Sequence, residues 1–247
     1  MHTGLKSLNY PGKLIVFGLL ALASLVSTLW ILHIKLPSGK PPYTFIWWNM
    51  LLAWIPAVLT VLLDLLYSVR RGSFRKLLLM GTGLVWLGFY PNAPYMITDM
   101  LHVFARYSYQ PDERFWAAAD FWNHTFAMLL VGLTGLFMGC VLLDSVKQLV
   151  RRSFGRTAGV LFALAVLLLS SFAIYIGRFI RGNTWDIVTS PLKLYNQLTE
   201  IWSTPAGKGH MLYFCAMIFT VLTVTYVLTW AISITRKPVG ERSLYGR

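Results

Sequence analysis

Acidic side chains are scarce in this chain. Nine Asp and Glu stand against 22 Lys and Arg, and charged residues of both signs make up only 13% of 247 residues. Water-soluble domains carry about 25% charged residues, so water is not the solvent on every side of this fold. Cysteine is scarce too. Cys140 and Cys215 fall inside separate apolar runs, which excludes a disulfide framework and a cysteine-based zinc pattern. The sequence has no GxGxxG loop, no Walker lysine, no HExxH pair and no convincing internal repeat. The net charge of +13 raises nucleic acid as a partner. A nucleic-acid binder concentrates such charge on a water-exposed domain, and none is present, so membrane lipids are the expected partners and nucleic acid is not.

What the chain has in abundance is apolar sequence, 56% of its residues. A spanning helix needs about 20 such residues, and the runs 14–34, 43–66, 121–146, 157–176 and 211–234 supply them. The run 77–90 reaches only roughly 21 Å at 1.5 Å per residue. It is read as a sixth span that finishes through a break at Pro91–Pro94. Pro56 is expected to kink the second span. The first run is too long for a signal peptide, and its Ala-x-Ala lies inside the run, not after it. The expected fold is all-α: one transmembrane domain over 1–247, six helices, the third broken, and an amphipathic helix from Ser190 lying on the outer interface.

Basic residues set the expected orientation. With the N-terminus inside, the inner segments 1–13, 70–76, 147–156 and 235–247 hold 14 of the 22 Lys and Arg. Both termini are therefore expected in the cytoplasm. This places six of the nine acids outside, and four of the five histidines outside or at outer helix ends, although neither residue type was used to choose the orientation.

Three polar groups gather there. In "FYPNAPYMITDMLH", each proline removes a backbone donor and disfavours helix in the residue before it. Asn92 is then the expected N-cap of a new helix over 93–104, with Asp99 and His102 at i, i+3 on one face. In "ADFWNHTF", Asp120 and His124 stand at i, i+4. In "SSFAIYIGRFIRGNTWD", Ser171, Tyr175 and Arg178 share a helical face, Arg181 follows, and Asn183 and Asp186 lie beyond the helix end. Asp99, His102, Asp120 and His124 are the candidate acid–base or catalytic groups. Arg178, Arg181, Asn92, Asn183 and Asp186 are the candidates for binding substrate or anion. Asp and neutral His can also hold a divalent metal; that reading is not favoured, and the cofactor is left unknown. The plainer alternative stays open: helical Asp–His pairs serve as caps or ion pairs, and arginines near headgroups snorkel. Asp64 and Asp144, at inner helix ends, are expected to pair with nearby Arg70 and Lys147.

Together and in this order, "YPNAPYMITDMLH" and "SFAIYIGRFIRGNTWD" resemble the signatures of an uncharacterised bacterial membrane family, domain of unknown function 1361. The resemblance covers roughly 47–230. Asp120 matches the acid of an aromatic–Asp pair in that family, with Ala119 in place of the aromatic. The resemblance implies a multi-pass protein of the bacterial cytoplasmic membrane and supplies no reaction. The residues favour an enzyme acting on a lipid-linked or phosphorylated substrate at the outer face. A transporter or lipid-handling protein, and a non-catalytic assembly or sensor subunit, are the alternatives.

Overall fold

A computed structural model describes residues 8, 10–36, 39–69, 72–106, 114–180 and 189–235. Among these the chain is helical, with no strand. The long helices are α1 (Tyr10–His33), α2 (Phe45–Ser68) and α3 (Ser73–Phe89). Two short helices follow, α4 (Asn92–Tyr95) and α5 (Leu101–Arg106), with a 3-10 turn over Met96–Met100 between them. Then come α6 (Ala119–Phe154), α7 (Arg156–Tyr175) extended by a π turn over Ile176–Ile180, α8 (Pro191–Ser203) and α9 (Pro205–Thr235).

Five helices are long and apolar enough to cross a membrane: α1, α2, α6, α7 with its π turn, and α9. Their outward faces carry the side chains that hydrocarbon accepts. Leu14, Leu22, Leu25 and Leu29 on α1 and Val224 and Leu228 on α9 are all exposed. With lipid outside and protein inside, burial is not what sorts these faces. Small residues and paired polar groups face inward, as expected where lipid removes the hydrophobic drive between helices. α3 has 17 residues, short of that length. Its course is nevertheless clear. Arg75 donates to Tyr67 O, Trp86 Nε1 donates to Thr60 Oγ1, and Asp99 accepts from Asn49. Residues 75–99 therefore run antiparallel along the whole of α2.

α6 is the central helix, packed against α1, α2, α7, α9 and the 92–106 segment. Its 36 residues reach roughly 54 Å at 1.5 Å per residue, well beyond a hydrocarbon layer of about 30 Å. The basic segment expected as a loop at 147–156 is helical on both sides of one residue: 147–154 form the last turns of this helix and Arg156 begins the next. Lys, Gln, Arg and Leu are good helix formers, and nothing stops them before Gly155. That glycine has φ 93° and ψ 172°, a region essentially closed to other residues, and it alone joins α6 to α7.

The break at Pro91–Pro94 takes an unexpected form. Tyr90, Pro91, Met96 and Leu101 all keep right-handed helical dihedrals, so the chain tightens and does not unwind. Asn92 is not the N-cap: Pro91 holds that position with no side-chain cap. Instead Asn92 Nδ2 donates to Phe89 O at 3.0 Å. Ala93 N–H has moved to Tyr90 O, and the amide side chain satisfies the carbonyl that this shift leaves behind.

Three glycines on α6 receive this segment. A Cβ at Gly135 would collide with Ala93 O, one at Gly132 would stand 2.8 Å from Ile97 Cδ1, and one at Gly139 would stand 3.3 Å from Pro94 Cδ. Tyr90 OH donates to Gly139 O at 3.2 Å. The backbone of 93–97 thus lies directly on the backbone of α6, which only glycine allows.

Candidate functional site

The tight segment ends in a polar cluster. In a 3-10 turn, side chains at i and i+3 eclipse, and at its end Asp99 and His102 do so. His102 Nδ1 lies 3.1 Å from Asp99 O and 3.7 Å from Asp99 Oδ1. A carbonyl only accepts, so in this contact Nδ1 carries a proton. Phe45 packs on the same ring, with centroids 4.4 Å apart.

Asp99 is 1% exposed. Its Oδ1 accepts from Arg178 Nη2 at 2.9 Å and its Oδ2 from Asn49 Nδ2 at 2.9 Å. A carboxylate so buried needs such partners, because removal from water costs several kcal/mol. Arg178 comes from the π turn after α7, a backbone irregularity often found at functional sites. Nη2 also donates to Thr98 Oγ1, and the guanidinium carbon sits 4.7 Å above the Tyr95 ring. Gly177 permits that stack, since a Cβ there would be 3.1 Å from Tyr95 Cε2.

These groups line a cavity of about 870 Å³, together with Leu36, Phe45, Leu101, Ala105 and Gly177. Asp99 forms part of its wall but is almost closed to solvent. Its contacts are with Arg178 through the carboxylate and with His102 through the backbone carbonyl, and it presents little surface to the cavity. His102 is partly exposed and Arg178 largely buried, with side-chain exposures of 26% and 11%.

The expected convergence of two Asp–His pairs is half realised. Asp99, His102 and Arg178 meet. Asp120 is exposed in the first turn of α6 and does not line the cavity. His124 turns away from it too, and Tyr43 OH contacts its Nδ1 at 2.7 Å. With Trp30 Nε1 donating to Asn123 at 2.8 Å, this pair ties the end of α1 and the segment before α2 onto α6. Asn92 is occupied at the break and is not a cavity residue. Ser171 and Tyr175 face α9, not the cavity: Ser171 O accepts from Cys215 Sγ, and Tyr175 packs on Phe214. Arg181, Asn183 and Asp186 lie outside the described residues. Asn49, Tyr95, Thr98 and Gly177 are site residues that the sequence reading did not single out. Only Asn49 carried a signal, as an amide inside an apolar helix.

At the opposite end of the bundle the polar groups pair differently from expectation. Asp64, fully buried, accepts from Lys13 Nζ at 2.7 Å. Asp144 accepts from Gln148 Nε2 at 2.7 Å, while Lys147 Nζ donates to Tyr226 OH at 2.8 Å. Between the two ends, the polar side chains of the described residues form separate contacts, such as Trp86 with Thr60 and Trp54 with Ser24. Among the described residues no group of three or more His, Cys, Asp or Glu is placed to hold a metal ion.

Comparison with known proteins adds one finding. No curated protein matches the chain, and no solved structure does. The model of the family described as "Protein of unknown function (DUF1361)" matches residues 48–225, a stretch that includes Asn49, Asp99, His102 and Arg178, and the chain is a member of that family.

Proposed function

We propose that this is a six-span protein of the bacterial cytoplasmic membrane, with both termini in the cytoplasm. Its cavity opens at the outer face and acts as an enzyme site for a lipid-linked or phosphorylated substrate. The sixth crossing is residues 73–106, because that stretch follows α2 from one end to the other. The orientation rests on Lys13, Arg75, Lys147, Arg151 and Arg152, all at the end away from the cavity.

One observation carries the enzyme reading. A guanidinium and an imidazole share one cavity, and Asp99 touches both, its buried carboxylate Arg178 and its backbone carbonyl His102. Arg178 has donors beyond the Nη2 used on Thr98 and Asp99, and its planar fork suits a phosphate. His102 Nε2 would take or give the proton, a role that contributes about 10²–10⁴-fold to rates. The transporter reading has less support. Among the described residues the far end holds one closed ion pair, Lys13 with Asp64, and the polar contacts between the ends do not join into a path.

The test uses purified protein in vesicles that contain phosphatidic acid or a polyprenyl diphosphate. Released phosphate and the mass spectrum of the lipids report turnover. Turnover is expected, and His102→Gln should lower it by about 10²-fold or more while the protein remains folded. If every phosphorylated lipid comes back unchanged and lipid moves between leaflets instead, the lipid-handling reading replaces the enzyme.

A further inference from the structure

The cavity is larger than its polar cluster needs, and half of its lining is apolar. Asn49, Asp99, His102 and Arg178 are the polar part. Leu36, Phe45, Leu101 and Ala105 are the apolar part. At about 870 Å³ the space lies near the upper end of the roughly 300–1,000 Å³ that a drug-sized ligand occupies. A free phosphate or carboxylate has only a handful of heavy atoms and would fill little of it. Among the described residues, apolar side chains reach the surface at the site, where the mouth of a site for a soluble anion would be polar. Leu101 is 56% exposed and Phe104 52%. In a chain whose outward faces meet lipid, such a rim opens sideways toward acyl chains.

We infer that the ligand is an amphiphile: a phosphate-bearing lipid, its headgroup against Arg178 and its chain along Phe45, Leu101 and Ala105. The inference rests on the reading of Arg178 as the anion-binding group, and narrows it from any phosphate to one that carries a hydrocarbon tail. Three features fit that chemistry. The guanidinium packs over the Tyr95 ring, and Asp99 and Thr98 use its Nη2, which leaves Nη1 to meet a phosphate. Both oxygens of the Asp99 carboxylate are engaged, by Arg178 Nη2 and Asn49 Nδ2, which fixes the guanidinium at the cavity wall. The apolar lining starts within one helical turn of the polar groups, since Leu101 lies between Asp99 and His102 in sequence and Ala105 follows three residues after His102.

Native mass spectrometry of the detergent-purified full chain separates the sources of phosphate. The probes are dioctanoyl phosphatidic acid, glycerol 3-phosphate and dioctanoylglycerol. Dioctanoyl phosphatidic acid is expected to bind at least tenfold more tightly than either of the others. Arg178→Lys should weaken it about tenfold, and Leu101→Ala, which shortens the apolar lining without adding a charge, should weaken the lipid while leaving glycerol 3-phosphate unchanged. Equal affinity for glycerol 3-phosphate and the lipid, both weakened by Arg178→Lys, would overturn the amphiphile and leave the anion site standing. Equal affinity for the neutral diacylglycerol, untouched by Arg178→Lys, would overturn both, as would no saturable binding of any probe.

Discussion

Arg178→Met is expected to destabilise the protein by about 3–5 kcal/mol, the usual result of removing one partner from a buried ion pair. Asp99 is 1% exposed and would keep only Asn49 and a distant His102. The cost arises from the stranded carboxylate more than from the lost contact. Two companion variants follow from that. Arg178→Lys keeps the charge but cannot reproduce the fork that reaches Thr98 and Asp99 together, so it should lie between Met and the native residue. The double variant Asp99→Leu with Arg178→Met removes both charges. It should recover much of the stability, because apolar replacements of whole buried pairs are often neutral. Unfolding in detergent micelles, followed with cellular abundance, reads all three. A single Arg178→Met protein as stable as the native one would mean that Asp99 is not held as described. The double variant also separates structure from function: it should fold and still fail to bind a phosphorylated lipid.

The second large effect belongs to a residue far less conspicuous. Gly135→Ala should cost about 3 kcal/mol, the upper end of overpacking penalties, and Gly135→Val should leave little folded protein. The added methyl group would meet a backbone carbonyl, Ala93 O, and Met96 Cβ at 2.9 Å. A flexible side chain could move away, but a backbone already tightened by two prolines cannot. Displacing it would also shift the 3-10 turn that aims Asp99. Gly81→Ala is the matched control, since nothing lies within 4 Å of a Cβ there. On helix propensity alone, that change should gain up to about 1 kcal/mol. Equal stabilities for Gly135→Ala and the native protein, measured by thermal unfolding, would rule out the close approach.

These two predictions mark how far the sequence could be read. Apolar length located the five long helices, because spanning a membrane imposes a length that few other constraints mimic. The motif "YPNAPYMITDMLH" identified the segment that matters, and it carried the family resemblance that the match over 48–225 establishes. Asp99, His102 and Arg178 were legible as neighbours because charges near hydrocarbon must find one another. The form of the break was not legible. Two prolines forbid particular hydrogen bonds but do not dictate whether the chain unwinds or tightens; α6 decided that by offering a glycine groove at Gly132, Gly135 and Gly139. The spacing of three and four between those glycines was visible in the sequence, yet its partner was not. Asp120 misled for a related reason. Its spacing to His124 is helical, but the rotation of α6 is fixed by the glycines and by Tyr43, and that rotation leaves the carboxylate outside. Lys13 and Asp64 are 51 residues apart in the chain, a pairing that no local pattern reveals.

The claim on which the rest depends is that the cavity of Asn49, Asp99, His102 and Arg178 opens at the outer face of the membrane. Ala105 lines that cavity and is exposed, while Ser73 stands at the far end of α3, near the basic residues. Single cysteines at these two positions, in a background without Cys140 and Cys215, can be treated in intact cells with a thiol reagent that does not cross membranes. The account predicts that Ala105→Cys is labelled, that dioctanoyl phosphatidic acid slows its labelling, and that Ser73→Cys is protected until the cells are opened. Labelling of Ser73→Cys in intact cells with protection of Ala105→Cys would contradict it.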